Sequence, residues 1–292
     1  MSRSNDNVRA AGFPVLATNT RSFEPVAVGQ TLHEKSSASG HARGGPNSVE
    51  APVPFSLANC PKIEIPKNRD NPLAVIEGGR PVAAALDAYK SLRTRLMRLQ
   101  NGRALGSVVI TSASQSDGKT VTAFNLACCT AQLEDTPVLL IDADLRTHAL
   151  TSLIGKLPPV GLAEVLKGTI SYEEAIVRTD IPNLYVMGAG QDDNSSAELF
   201  ATERWSQFMH WTSESFKMVL VDSLPIGIVA ESELIAPACD GVVVVVRSFS
   251  TPRRALEEAI AQVDPKKLLG VIWNAAQPAG NLDPYTYDSS SK

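Results

Sequence analysis

Aromatic residues are scarce in this chain: Phe, Trp and Tyr together make up 5% of its 292 residues. Long apolar runs are missing as well. None approaches the roughly 20 residues that cross a bilayer as a helix, so no membrane-spanning helix is expected. The N-terminus lacks the basic-then-apolar layout of a secretory leader. Neither sign of charge is in large excess. With 27 Lys and Arg against 31 Asp and Glu, the formal charge is −4, which argues against a generic nucleic-acid binder. The four cysteines, Cys60, Cys128, Cys129 and Cys239, show no metal-ligand spacing. Adjacent Cys128 and Cys129 fall in a helical stretch, where they act as small apolar residues rather than redox partners. These absences point to a reduced, cytoplasmic protein. A hydrophobic share of 43% is enough for one sizeable core.

What is present divides the chain unevenly. Residues 1–72 are rich in Ser, Asn, Gly, Pro and Ala. A stretch such as HEKSSASGHARGGPNS cannot bury enough surface to offset its ordering entropy, so a disordered N-terminal arm is expected. From 73 to 280 the pattern is that of a folded domain. In RPVAAALDAYKSLRTRLMRLQ, Leu86, Tyr89, Leu92, Leu96 and Leu99 recur every three or four residues, as on one face of a helix. Lys90, Arg93, Arg95 and Arg98 decorate the remainder of that helix. Beyond Gly106, short apolar runs alternate with helical stretches: SVVITSA, TPVLLIDADLR, NLYVMGAG, KMVLVDSLP, DGVVVVVRS and LLGVIWNAA. Strands apolar on both faces and separated by helices predict a three-layer α/β domain with a mostly parallel sheet. Residues 281–292 form a polar, flexible tail that holds Tyr285 and Tyr287, two of the five tyrosines.

The chemistry gathers at the strand ends. SASQSDGKTVTAFNLA, residues 112–127, follows an apolar run and opens a helix at Gly118, Lys119 and Thr120. A helix N-terminus offers free backbone N–H groups and a positive dipole end, a natural seat for phosphate. The nucleotide-binding candidates are Ser116, Asp117, Gly118, Lys119, Thr120 and Val121. Lys119 would reach the terminal phosphates and the Thr120 hydroxyl would ligate Mg²⁺. LLIDADLR places Asp142 and Asp144 at the carboxyl end of a second strand, and VLVDS places Asp222 at the end of a third. Ligands of open parallel sheets bind outside those ends. Each acid alone could be a helix cap. Three beside a lysine form a candidate metal and catalytic group, with Thr120, Asp142, Asp144 and Asp222 toward the metal.

The succession VVITSASQSDGKT, VLLIDADLR, MVLVDSLP resembles the Walker A, Walker A′ and Walker B motifs of the bacterial tyrosine kinases of polysaccharide export, the BY-kinases. These are P-loop NTPase-like proteins of the deviant Walker type. The resemblance runs from about Ala84 to Asn274 and is specific in three motifs. DAYKSLRTRL is similar to their assembly helix, which implies ring contacts through Asp87, Lys90 and Arg93. CDGVVVVVRSFST and GVIWN match later strands, with Asn274 where an asparagine reads adenine. SSAELFATERWSQFM is similar to the branch found with exosortase-linked exopolysaccharide clusters. The resemblance implies an ATP- and Mg²⁺-dependent tyrosine autokinase that phosphorylates Tyr285 and Tyr287 on a neighbouring subunit. Lys119, Asp142 and Asp144 would be its catalytic residues, with Asp142 orienting or deprotonating the tyrosine. It also implies a homo-oligomeric ring and a membrane polysaccharide co-polymerase whose cytoplasmic tail is the partner. The kinase itself would sit in the cytoplasm, peripheral to the inner face of the membrane.

The chain departs from the family's usual S-A-x-P-G-E-G-K loop. Ala113 is typical, but Gln115 and Ser116 replace Pro-Gly, Asp117 replaces Glu, and Leu224 replaces the first proline after Walker B. If position 116 needs positive φ, serine costs on the order of 1 kcal/mol there. Arg146 either contacts phosphate or a neighbour, or forms a surface salt bridge. Two alternatives stand beside the kinase. One is an ATPase or pseudo-kinase scaffold of the same family, favoured by Ser116 and the sparse tyrosine tail. The other is a partitioning or septum-site ATPase, opposed by Ser114 where those proteins carry an extra lysine.

Overall fold

The computed structural model describes residues 56–65, 83–100, 105–191, 196–228 and 231–275. The rest of the expected N-terminal arm and the tail with Tyr285 and Tyr287 lie outside the described residues. Among the described residues seven strands form one sheet: β1 Ser107–Ser112, β2 Val138–Asp142, β3 Ile176–Arg178, β4 Leu184–Met187, β5 Met218–Asp222, β6 Gly241–Arg247 and β7 Leu268–Asn274. Their order is β3-β4-β2-β5-β1-β6-β7. All neighbours pair parallel except β3, which runs antiparallel to β4.

The apolar runs make strands because both faces of the sheet are covered, and period-2 alternation sends successive side chains to opposite layers. Val109, Leu139, Ile141, Val219, Val221, Val242, Val244 and Val246 share one core. It is closed by α4 Leu162–Lys167, α5 Ser196–Phe200, α6 Glu203–Ser215, α7 Glu231–Ile235 and α8 Arg253–Ala261. Val108, Ile110, Val138, Leu140, Leu220, Val243 and Val245 share the other. That face is closed by α1 Ala83–Gln100, α2 Lys119–Ala131 and α3 Ala149–Ile154. This is the three-layer α/β architecture expected from the alternation.

Two features differ from expectation. The three-residue strand β3 is too short to show a pattern in the sequence. Residues 56–65, read as part of a disordered arm, instead lie along β3. Arg178 N–H donates to the Pro61 carbonyl at 2.8 Å, and Ile63 N–H donates to the Arg178 carbonyl at 2.8 Å. Cys60 and Ile65 are buried there, and the gain from that burial outweighs the ordering cost of a short strap. On α1, Leu92 and Leu96 are buried as the periodicity requires, while Leu99 is 43% exposed at the helix end. Asp87 and Lys90 are exposed. Arg93 is half-buried, and its Nη1 donates to the Cys129 carbonyl at 2.8 Å, so part of its hydrogen-bonding capacity serves the contact between α1 and α2.

Candidate active site

The turn between β1 and α2 is built on two residues in the left-handed region, Ser116 at φ 63° and Gly118 at φ 93°. Position 116 therefore does need positive φ, and serine adopts it at a cost of about 1 kcal/mol. Gly118 is needed for a second reason: a Cβ there would collide with the Asn274 amide. Side chains hold the turn closed. Asp117, 2% exposed, accepts from Ser114 N–H at 2.8 Å and from the Thr251 hydroxyl at 2.6 Å. Asn274 Nδ2 donates to the Asp117 carbonyl at 2.8 Å. Asp117 is thus turned inward as a brace, and Asn274 touches the loop directly. Thr120 is buried and Val121 half-buried in the first turn of α2.

The acids sit where parallel pairing brings strand ends together. Asp142 and Asp222 are register partners on β2 and β5, and both are fully buried. Asp142 Oδ2 accepts from the Thr151 N–H at 2.8 Å and hydroxyl at 2.7 Å, and its Oδ1 accepts from Asp144 N–H at 3.3 Å. Burial pushes the Asp142 carboxyl up to about 6, against the pull of the Thr151 hydrogen bonds. Asp144 Oδ1 accepts from Thr147 N–H at 2.9 Å, and its Oδ2 lies 3.4 Å from Lys119 Nζ. Lys119 Nζ is also 3.4 Å from the Thr120 hydroxyl. Both Asp222 oxygens are buried without a hydrogen-bond partner. Burial pushes Asp222 up to about 8; Lys119 and, more weakly, the nearby Thr120 hydroxyl pull the other way, while Asp142 and Asp144 add to the rise.

The donor set fits a nucleotide phosphate chain with its magnesium ion. A 13-residue helix presents its N-terminus with no side-chain cap, a lysine stands at its first position, and an orphaned buried carboxylate faces the same lysine. Among the described residues no three His, Cys, Asp or Glu side chains are grouped as a ready-made metal cage. Mg²⁺ keeps waters and substrate phosphates in its shell, with one or two carboxylates from the protein.

The structure brings Lys119, Thr120, Asp142, Asp144 and Asp222 to one rim, with Ser116, Gly118 and Asn274 around the loop. Asp87, Lys90 and Arg93 lie on α1. Thr151 and Thr251 were not foreseen. Thr151 follows Asp142 by nine residues and Thr251 follows Asp117 by 134. The one local sign was a threonine beside a proline at the start of α8.

No protein-family model matches the chain. Its curated relatives are consistent. It is 33% identical over 213 residues to the tyrosine-protein kinase YwqD of Bacillus subtilis, covering 71% of this chain and 89% of that one. It is 28% identical to the tyrosine-protein kinase CpsD of Streptococcus pneumoniae, covering 66% and 85%. Against the tyrosine-protein kinase wzc of Salmonella typhi the identity is 30%; the match covers 73% of this chain but 31% of that longer protein. Among solved structures, the kinase domain of Escherichia coli tyrosine kinase ETK superposes with a TM-score of 0.65 at 25% identity, covering 77% of this chain and 88% of that one. The chimerical protein CapA2B2 gives 0.66 at 25% identity, covering 74% and 93%. A phosphate loop braced by Asp117, paired acids on β2 and β5, and the matches to YwqD and CpsD over most of those proteins' length place this chain in the bacterial tyrosine-protein kinases.

Proposed function

We propose that this chain is an ATP-dependent protein-tyrosine autokinase that phosphorylates Tyr285 and Tyr287 of a neighbouring copy. Its role would be to control polymerisation and export of a capsular or extracellular polysaccharide. The observation that carries the reading is the Lys119–Asp144 contact at 3.4 Å beside the buried Asp142–Asp222 pair. Mg-ATP, when bound, supplies the transferable phosphoryl group and the charge neutralisation that transfer requires. The chain's own residues do the rest. The backbone from Ser116 to Thr120 binds phosphate oxygens, and Lys119 offsets their charge. Thr120 and Asp222, with Asp144, would hold the ion and its waters. Asp142, at the end of β2 beside Asp222, would orient the tyrosine hydroxyl and take its proton. Asn274, whose amide also donates to the Asp117 carbonyl, would read the base.

Ring assembly through Asp87, Lys90 and Arg93, and a membrane co-polymerase whose cytoplasmic segment completes the active state, belong to the same proposal. Among the described residues no helix is long and apolar enough to cross a membrane. Phosphate adds a charge of about −1.5 to −2 per tyrosine, enough to oppose assembly and give a switch.

The test is phosphotyrosine mapping by mass spectrometry after incubation with Mg-ATP, with and without the partner's cytoplasmic peptide. Lys119→Met and a Tyr285→Phe/Tyr287→Phe double variant serve as controls. Tail phosphate that disappears in the Lys119 variant is the expected result. ATP binding without phosphotyrosine in any condition would turn the reading to a nucleotide-gated scaffold.

A further inference from the structure

Outside the machinery described above, the Arg146–Glu231 ion pair differs from the exposed pairs within helices in having a buried acid. Glu231, at the first position of α7, is 1% exposed. Its Oε1 accepts from Arg146 Nε at 2.8 Å and from the Ser196 hydroxyl at 2.5 Å. Burial works against its charge, yet the hydrogen bonds from Ser196, its own backbone and Arg146 outweigh it and hold the carboxyl below its ordinary range. Arg146 is different: its side chain is 56% exposed. A buried carboxylate, itself held by a buried serine, thus fixes the guanidinium of a largely exposed arginine through its Nε. Burying a carboxylate to anchor a surface side chain is costly when stability alone is at stake, and an exposed arginine gains little from such a pair. The arrangement makes sense if the guanidinium must be held in place for something that arrives.

Topology says from which side. Arg146, Ser196 and Glu231 follow β2, β4 and β5 in the chain. The phosphate loop follows β1, while Thr251 follows β6 and Asn274 ends β7. In the order β4-β2-β5-β1-β6-β7, the loop has its brace and base-side residues on one side. The catalytic acids, and then Arg146, lie on the other. If the base lies toward Asn274, as the resemblance implies, the terminal phosphate faces Asp142 and Asp222, and Arg146, which follows β2 as Asp142 ends it, lies on that same side of the loop. The proposed acceptor is NLDPYTYDSSSK, in which Asp283 precedes Tyr285 by two residues and Asp288 follows Tyr287 directly. An acidic peptide approaching a rim of carboxylates needs a fixed cation to seat it.

We infer that Arg146, positioned by Glu231 and Ser196, recognises the acidic residues flanking the acceptor tyrosines and so selects the C-terminal tail of a second copy. The inference rests on the reading of that tail as the acceptor. Arg146 is a specificity residue for the peptide; Glu231 and Ser196 are positioning residues.

The experiment is a charge cycle. The enzyme is the full chain with Tyr285→Phe/Tyr287→Phe, with or without Arg146→Gln. The substrate is the full chain with Lys119→Met, its tail native or carrying Asp283→Asn/Asp288→Asn. Neutralising the tail should lower kcat/KM about three- to fivefold with Arg146 present and leave it unchanged with Arg146→Gln, the KM for ATP being the same in both enzymes. Ser196→Ala should give an intermediate loss that Ser196→Thr restores. Anisotropy of a labelled 281–292 peptide, native or neutralised, provides the same cycle for binding alone. An equal effect of tail charge in both enzymes, in kinetics or in binding, overturns the inference. If the native tail is never phosphorylated, the autokinase reading falls, while the binding cycle still decides whether Arg146 reads the tail.

Discussion

At the end of β5, Asp222 is a buried carboxyl whose oxygens find no hydrogen-bond partner, with a neighbouring carboxyl paired to it across the strands. In the absence of a cation, burial disfavours the charged form of such a group and pushes its carboxyl up to about 8. The linkage sign follows. Between about pH 4 and 8 the folded chain holds a proton that the unfolded chain has released, so stability falls as pH rises through this window and levels off above it. The slope is at most about 1.4 kcal/mol per pH unit for one group. Asp222→Asn removes the titration while keeping the shape. Without nucleotide or divalent cation, this variant is expected to melt above the wild type at pH 8.5, and the gap should shrink toward pH 5. Thermal melts at both pH values check this. A gap that does not change with pH would mean that Asp222 is ionised in the ligand-free fold. With Mg-ATP the order should reverse, since the carboxylate then has a partner and the amide does not.

At the scale of elements, the phosphate loop owes its shape to the connection between β6 and α8. The Thr251 hydroxyl donates to buried Asp117 at 2.6 Å and accepts from Arg247 N–H at 2.8 Å. One side chain therefore ties the end of β6 to the turn that must receive phosphate. Thr251→Val keeps the volume and removes both bonds, leaving a buried carboxylate one donor short at a cost of about 1–3 kcal/mol. A lower melting temperature and nucleotide binding weakened several-fold by calorimetry are expected; unchanged binding would show that the loop is set by its own backbone. This brace also marks the limit of what the sequence reveals. The strands were legible because VVVVV and VLLI can only be buried on both faces, and their acids were legible because they end those runs. Lys119 and Thr120 were legible from the strand before and the helix after. Thr251 was not, because a partner 134 residues away leaves no local pattern. β3 was not either: three residues at an antiparallel edge are too few to show a period.

At the scale of the whole molecule, the sheet has one edge at β7 and the other at β3, and an uncovered edge invites pairing with another chain. Residues 56–65 lie along the β3 edge as a parallel bridge, Lys62 opposite Arg178. Ile65 N–H adds a bond to Asp180 Oδ1 at 2.9 Å. The strap straddles the sheet edge: Cys60 and Leu57 join the core on one face, while Ile65 and Ile63 join the core on the other. Composition hid this, because a ten-residue strap inside a polar region carries too few apolar residues to stand out until its partner strand is known. Its weight can be isolated by comparing two truncations, one lacking residues 1–55 and one lacking 1–65. The longer truncation loses two buried side chains and three hydrogen bonds. Its melting temperature should fall below that of the shorter one by about 5 °C or more, given about 2–4 °C per kcal/mol for a domain of this size. Light scattering should show self-association that the shorter truncation lacks, since Arg178 would expose its N–H and carbonyl to a second copy. Asp87→Lys in the longer truncation separates that edge pairing from ring contacts through α1, because edge-driven association would persist when the helix charge is reversed.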